Sequence, residues 1–414
     1  MKSPAARLLQ QRLLVLVTLA LVAFGLVMVY SATSAAAALG NGDPITFLKR
    51  QGIYAFAGVL LLVAASRVDH RKLRLVAPPL VLVALALCAL VVVVSPAVNG
   101  AKRWLDLGPA SFQPSELAKL ALLLFAATYL AKNGPPQTLG ELWKPIGMLA
   151  ALFAALIMLE PDLGTTIALM VMLAGMLVVA GVPGRTLGAA GGIAFVLGAI
   201  AIWVEPYRRQ RLLSFLDPWA DPENTGFQTV QAIIGIGSGG LTGKGLGEGV
   251  QKINYLPEQQ TDMILAVIGE ELGLIGVGAV VLAFATFAFA GFGVALRCRD
   301  PFGKLVAAGI TSLVCGQAAV NLAAVLGIAP LTGIPLPFLS YGGSSLVVLL
   351  ASVGILLNIA GDDRAPQTAR RGAPRADRGG RNGGTRAPVA RDRRRAPATR
   401  RHGDVRRVAG SRRG

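Results

Sequence analysis

Histidine and cysteine are nearly absent from this chain. Two histidines, His70 and His402, stand among 414 residues, each beside basic residues. The three cysteines, Cys88, Cys298 and Cys315, lie far apart, with no CxxC pair and no even-numbered disulfide framework. A zinc site, a Ser-His-Asp triad and a histidine relay therefore lack their parts. Charge is scarce too. Charged residues make up 15% of the chain and acidic residues number 22, where a soluble domain carries about a quarter charged residues. That shortage excludes an ordinary cytosolic enzyme, and it excludes disorder for most of the length. Any catalysis must rest on carboxylates, lysines, arginines, hydroxyls or backbone groups.

Apolar residues fill the space that charge leaves. They make up 54% of the chain, and the mean hydropathy is +0.60. Runs of about 20 apolar residues are the unit that spans a bilayer. Ten are readable: 13–33, 48–66, 75–96, 114–132, 145–160, 163–182, 186–206, 262–293, 303–328 and 340–361. The expected fold is an all-α polytopic membrane protein of about ten transmembrane helices. A long loop, 207–261, separates the seventh and eighth. Lysine and arginine orient it. Arg7 and Arg12, the RVDHRKLR stretch at 67–74, the RCRDPFGK stretch at 297–304 and the C-terminal tail fall on one side, expected to be cytoplasmic. Both termini are then inside, and loop 207–261 is extracytoplasmic. The first run is too long for a signal-peptide core and reads as an uncleaved anchor.

The net charge of +18 divides unevenly. Residues 362–414 hold 17 arginines and 5 aspartates, with almost no large apolar residue. Such a segment buries too little surface to offset its ordering entropy, so it is expected to be a disordered cytoplasmic tail behind a membrane domain at 1–361. Adhesion to anionic lipid or an acidic partner suits its charge; so does a plain topology anchor. Nucleic acid is not an expected partner.

Basic residues also stand on the expected outer side, against the topology signal. Lys102 and Arg103 follow the third run. Arg208, Arg209, Arg211, Lys244 and Lys252 lie in the long loop. A diphosphate handled at the outer face would give them a task; long loops also tolerate charge freely. Ionisable residues at membrane depth point to function by default. Glu116 and Lys119 are three apart on one helix and can pair, either to pack helices or to line a substrate cavity. Pro161 interrupts Glu160-Pro161-Asp162, so the fifth and sixth spans join through a turn that carries two carboxylates. Asp262 stands at the start of the eighth span, where a helix-start role is one reading, with Glu270 and Glu271 following. Gln317 and Asn321 are four apart and can hydrogen-bond between helices.

Two motif resemblances fail on context. GIGSGG at 235–240 satisfies GxGxxG, but no strand–helix alternation surrounds it. Gly243-Lys244 ends like a phosphate loop, yet Ser238 occupies the first glycine position and Gly245 the Ser/Thr position. These glycines are expected to let an external loop fold back tightly. The run PLTGIPLPFLSYGGSS, 330–345, reads as a turn or re-entrant segment, which membranes tolerate only inside protein or around a wet cavity.

Several long stretches together resemble the SEDS family of shape, elongation, division and sporulation proteins. They are VNGAKRWLDLGPASFQPSELAKL (98–120), EPDLGTT (160–166), RRQRLLSFLDPWADPENTGFQTVQAIIGIGSGGLTGKGLG (208–247), YLPEQQTDMILAVIGEELGLIG (255–276) and PLPFLSYGGSS (335–345). They stand in the family's order and span most of residues 10–361. The resemblance implies a ten-helix fold with a large extracytoplasmic loop between helices seven and eight. It implies a glycosyltransferase that polymerises lipid II into peptidoglycan at the outer face of the bacterial cytoplasmic membrane. The partners implied are a class B penicillin-binding transpeptidase and other division membrane proteins. The essential carboxylate of the family's LPE-x-x-TD stretch falls on Asp262, with Glu258 in the same stretch. The family's RW pair falls on Arg103 and Trp104, and its QPSExxK motif on Glu116 and Lys119. The sequence departs at Gln260, where many members have His, and at Met263, where Phe is usual. FLDPWADP and QKINYLPE lean toward the division branch and its septal location; TGIPLPF leans toward elongation.

The residue chemistry agrees with that implication. Glycosyl transfer needs a base for the attacking hydroxyl and cations for a diphosphate leaving group. Asp262 can supply the first. Lys102, Arg103, Arg208, Arg209, Arg211 and Lys244 can supply the second, alone or with a divalent cation such as magnesium or manganese. A flippase for lipid-linked precursor and a non-catalytic division scaffold are the rival readings.

Overall fold

The computed structural model describes residues 4–38, 44–96, 101–106, 108, 111–251 and 259–362. The expected disordered tail, apart from Asp362, lies outside the described residues. So do Lys252 and Glu258.

Among the described residues ten helices are long and apolar enough to cross a membrane, as the run count predicts. Chain order begins with α1 (Pro4–Ala38), α2 (Pro44–Arg67) and α3 (Leu73–Val94). A two-strand hairpin, β1 (Leu105–Asp106) antiparallel to β2 (Ser111–Phe112), leads into α4 (Pro114–Asn133). Next come the short α5 (Leu139–Leu142), α6 (Met148–Leu159), α7 (Leu163–Ala180) and α8 (Gly184–Val204). α5 and α6 together form the fifth span, Leu139–Leu159. The set ends with α9 (Pro206–Leu216), α10 (Phe227–Gly239), α11 (Ile264–Arg297), α12 (Pro301–Val325) and α13 (Gly343–Gly361).

Local chemistry sets the boundaries. Pro114, Pro206 and Pro301 open helices at positions whose N–H has no intrahelical partner. Asp162 and Asp300 cap α7 and α12 by accepting from the Thr165 and Gly303 amides. Gly181 ends α7 in the left-handed conformation at φ +89°.

α12 lies at the centre, buried along nearly its whole length. Small residues let its neighbours approach. A Cβ on Gly175 of α7 would meet Ser312, one on Gly291 of α11 would meet Thr311, and one on Gly309 of α12 would meet Leu123 of α4. Lipid tails are as apolar as leucine, so such close packing drives membrane-helix association. α8 is the exception, since Thr186 is its one buried residue.

The described part of the 207–261 region, residues 207–251 and 259–261, contains more regular structure than a loop. It contains α9 and α10, and α10 packs Val230, Ala232, Gly235 and Gly239 inward, largely toward α11. The apolar stripe of FQTVQAIIGIGSG is the physical reason. Residues 235–239 of the GIGSGG run are therefore helical, and only the following glycines turn.

Candidate functional site

Asp262 lies in a turn held on three sides. The helix behind it starts at Ile264, with Met263 in the N-cap position, so Asp262 is not the helix cap that one sequence reading allowed. Its residue is buried, and Thr261 Oγ1 donates to Oδ1 at 3.3 Å. Gln259 Nε2 donates to the Ala32 carbonyl of α1 at 2.9 Å. The Tyr341 amide donates to the Gln260 carbonyl at 2.8 Å. Asn321 Nδ2 donates to the Asp262 carbonyl at 2.7 Å and to the Ile334 carbonyl at 2.8 Å.

The stretch between α12 and α13 passes in front of this turn without forming a helix. It is nevertheless buried at Ile334, Leu336, Phe338, Leu339 and Ser340. This matches the turn or re-entrant segment read from its Pro and Gly content. Gly333 has φ +71°, and a Cβ there would lie 3.9 Å from both Arg211 Nη1 and Asp262 Oδ2. Arg211 thus reaches the carboxylate's neighbourhood from α9. Its guanidinium sits 4.8 Å from the Tyr207 ring centroid and donates to the Leu331 carbonyl at 3.4 Å. A cation beside a developing negative charge in a partly dry site is worth far more than in water.

The same stretch connects to the expected polar pair. A Cβ on Gly164, in the first turn of α7, would lie 2.6 Å from the Thr332 carbonyl. Asp162, just before it, accepts from Gln113 Nε2 at 3.2 Å, and the Gln113 amide donates to Ser344 of α13. One turn into α4, Lys119 Nζ meets Glu116 Oε1 at 2.8 Å, with both residues buried. Glu116 Oε2 and Ser115 Oγ have no partner among the described residues. A pair with spare acceptor capacity can meet a polar ligand or water.

Arg103 holds the turn between α6 and α7. Its Nε donates to the Glu160 carbonyl at 3.0 Å and its Nη2 to the Pro161 carbonyl. The Trp104 carbonyl accepts from Ser95 Oγ. Glu160 is fully buried, and neither of its carboxyl oxygens has a nitrogen or oxygen partner among the described residues. Burial first, then the neighbouring Asp162, pushes Glu160 up to about 8.

Other sequence candidates have structural partners. Lys244 Nζ meets Glu270 Oε1 at 2.8 Å. Glu270 also accepts from the Val250 and Gln251 amides at 2.9 and 3.0 Å. Glu271 accepts from Ser31 of α1 at 2.8 and 2.7 Å. Around them the glycine-rich turn wraps a break in α11, where Gly273 has φ +64° and ψ −162°. A Cβ on Gly243, at φ +82°, would lie 2.1 Å from the Glu271 carbonyl, so glycine is required there for both space and conformation. Arg208 donates to the Ala201 and Met158 carbonyls at 3.2 Å each. Exposed Lys102 reaches the Val92 carbonyl at 3.4 Å. The structure therefore brings Arg211 to Asp262, whereas Arg103, Arg208 and Lys244 brace backbone or a buried carboxylate. Sequence reasoning left open what Asn321 and Glu270 bind, because their partners are remote in sequence or backbone groups.

Among the described residues no three acidic, His or Cys side chains cluster. Magnesium keeps several waters and binds through one or two carboxylates plus substrate phosphates, and Asp262 is a carboxylate suited to that arrangement.

Comparison with known proteins gives the family. A family model for FtsW, RodA and SpoVE, described as "Cell cycle protein", matches residues 11–365. The chain is 43% identical over 359 residues to a probable peptidoglycan glycosyltransferase FtsW of Geobacter metallireducens, covering 84% of this chain and 93% of that one. It is 40% identical to the stage V sporulation protein E of Bacillus subtilis, covering 84% and 96%. Among solved structures it resembles a chain of a peptidoglycan synthase complex that coordinates polymerization and crosslinking. That match has TM-score 0.69 and 34% identity, and covers 84% of this chain and 96% of the other. It also resembles the rod shape determining protein RodA of Thermus thermophilus, with TM-score 0.62 and 30% identity over 84% and 95%. Ten apolar helices, a buried aspartate in an irregular turn and a family match along nearly the whole membrane domain converge: this chain belongs to the FtsW/RodA/SpoVE family.

Proposed function

We infer that this multi-pass membrane protein is a peptidoglycan glycosyltransferase that polymerises lipid II, and that Asp262 is its catalytic carboxylate. The observation that carries the site assignment is the approach of Asp262 Oδ2 and Arg211 Nη1 to the same point beside Gly333. A carboxylate and a guanidinium facing one gap supply a base and an anion stabiliser for one displacement.

In this reading the sugar 4-hydroxyl of the acceptor attacks the donor's anomeric carbon and gives its proton to Asp262. The new bond forms between that oxygen and the anomeric carbon. The bond to the diphosphate breaks, and the polyprenyl diphosphate leaves with the electron pair. Arg211 lies where it stabilises that charge, with its guanidinium held by the Tyr207 ring and the Leu331 carbonyl. Arg103 shapes the Glu160–Asp162 turn, while Glu116 and Lys119 form a polar wall with spare acceptors. Asp262 would hold a divalent cation if one is used. Such a cation, when bound, neutralises diphosphate charge.

The Asp262 face is assigned to the outside of the cytoplasmic membrane. Arg67, Arg74, Arg297 and Lys304 gather at the opposite end, which the basic-inside rule assigns to the cytoplasm along with both termini. A class B penicillin-binding transpeptidase is the proposed partner, since the structural relative is a complex coordinating polymerization with crosslinking. Septal synthesis in cell division is proposed because many of the similar relatives carry the FtsW name.

The test is gel analysis of labelled lipid II incubated with purified protein and its cognate transpeptidase, wild type against Asp262→Asn. Polymer from wild type alone supports the assignment. Equal polymer from both removes Asp262 from the chemistry.

A further inference from the structure

Asn321 stands in the last two turns of α12, and its side chain is buried. Its amide nitrogen donates to two backbone carbonyls, those of Asp262 at 2.7 Å and Ile334 at 2.8 Å. Carbonyls have no hydrogen to give, so the orientation of the amide follows: only its NH2 can face both. Asp262 and Ile334 both lie in non-helical backbone. Buried backbone of that kind persists only when its polar groups are satisfied within the protein. One side chain on the central helix therefore ties together two irregular segments.

Those segments carry the two sides of the reactive gap. Ile334 follows Gly333, the residue lying between Arg211 Nη1 and Asp262 Oδ2. Fixing the Ile334 carbonyl fixes the backbone beside Gly333. Fixing the Asp262 carbonyl fixes the base of the carboxylate's own side chain. Of the other ties on this turn, those at Gln259 and Gln260 act on neighbouring residues, and the Thr261 hydroxyl reaches the Asp262 carboxylate from within the turn itself. Asn321 alone among these contacts grips residue 262 and the facing segment at once.

We propose that Asn321 is a positioning residue for glycosyl transfer: it sets the separation and alignment of the Asp262 carboxylate against Gly333 and Arg211. The proposal rests on the reading that Asp262 is the base. Asn321 acts through backbone and takes no proton. A misplacement of about 1 Å at a reacting group can cost on the order of a hundredfold in rate. Substrate binding through remote contacts is left intact.

The experiment uses the full-length protein with its cognate transpeptidase and labelled lipid II, comparing Asn321→Asp, Asn321→Leu and Asp262→Asn with wild type. Asn321→Asp keeps the shape and, when ionised, loses both donors. Asn321→Leu removes the polar group. The expected result is a kcat lower by roughly ten- to a hundredfold with KM within about twofold. The acidic limb of the pH–rate profile, which reports protonation of the base, should shift. A kcat within about twofold of wild type in Asn321→Asp overturns the proposal. So does a loss shared by kcat and KM with the acidic limb unmoved, which marks a general structural role. If Asn321→Leu fails to fold, Asn321→Asp decides. Activity in Asp262→Asn overturns the base assignment itself. A dead Asp262→Asn beside a normal Asn321→Asp overturns the positioning role alone.

Discussion

At the end of the bundle away from Asp262, charged side chains pair between helices. Arg74 Nη2 reaches both oxygens of Asp300, at 2.6 and 2.7 Å, and Arg71 meets Asp362 at 2.7 Å. His70, fully buried, shares a 2.9 Å contact with Asn358 of α13 and faces Asp300 at 3.7 Å. Burial would raise the Asp300 carboxyl, but the nearby His70 ring and the hydrogen bonds from Arg74 and the Gly303 amide outweigh it and hold it well below the usual carboxylate range. At the Asp262 end, arginines bind backbone carbonyls, Glu160 is buried without a nitrogen or oxygen partner among the described residues, and two stretches forgo helical hydrogen bonds. One end spends its polar groups on joining α3, α12 and α13. The other sets a buried carboxylate and two non-helical backbone stretches beside Asp262, as functional sites do.

That contrast can be broken experimentally. The largest effect is expected for Asp262→Asn, which should lower lipid II polymerisation by about 10²- to 10⁴-fold with unchanged thermal unfolding in detergent. A fall in melting temperature with retained activity would assign Asp262 to stability instead. Next is Asp300→Ala. Removing Asp300 takes the partner from part-buried Arg74 and the cap from α12, costing about 1.5–3 kcal/mol, so thermal unfolding should drop while polymerisation per folded molecule stays at the wild-type level. Loss of activity in a fully folded Asp300→Ala protein would dissolve the distinction between the two ends. Glu270→Gln removes the charge that anchors Lys244 and should cost about 2 kcal/mol. Its effect should be local, seen as faster hydrogen exchange in residues 240–251.

The smallest effect is a pH dependence. Glu160 has a folded value of about 8 against an ordinary 4.5. Its protonated form is the one the fold prefers. The stability linked to it is complete below about 4.5 and is lost as pH rises toward 8. Glu160→Gln should therefore gain thermal stability over wild type as pH rises from about 5 to 9, with little difference at the acid end. A difference that instead grows toward acid would show an ionised Glu160. Asp300 carries the opposite sign: its contribution is present at neutral pH and fails only when pH falls through its lowered value.

Composition and run length were enough to read the ten spans, because apolar length is a property of contiguous sequence. The Pro161 turn, the Glu116–Lys119 pair and the Pro330–Ser345 irregular stretch were readable for the same reason: their signals lie within a few residues. Asp262 was readable as a candidate through its motif, yet its local setting was not. A carboxylate beside an apolar run looks like a helix start, and only the contacts from Asn321, Tyr341 and Ala32 hold it in a turn instead. The helices in 207–261 were hidden by their glycines and arginines. Lys244 looked like an anion binder because Glu270, its partner, stands 26 residues away.

The contacts of the Asp262 turn also bear on biosynthesis. The turn leans on Ala32 from the first helix, Asn321 from the ninth span and Tyr341 just before the tenth. A ribosome delivers these pieces in order, and the last arrive well after Asp262 has left the exit tunnel. Until the final two spans enter the bilayer, the nascent chain carries the carboxylate without its mount. On the proposed role of Asp262, a chain truncated before the ninth span should insert in the membrane yet remain inert.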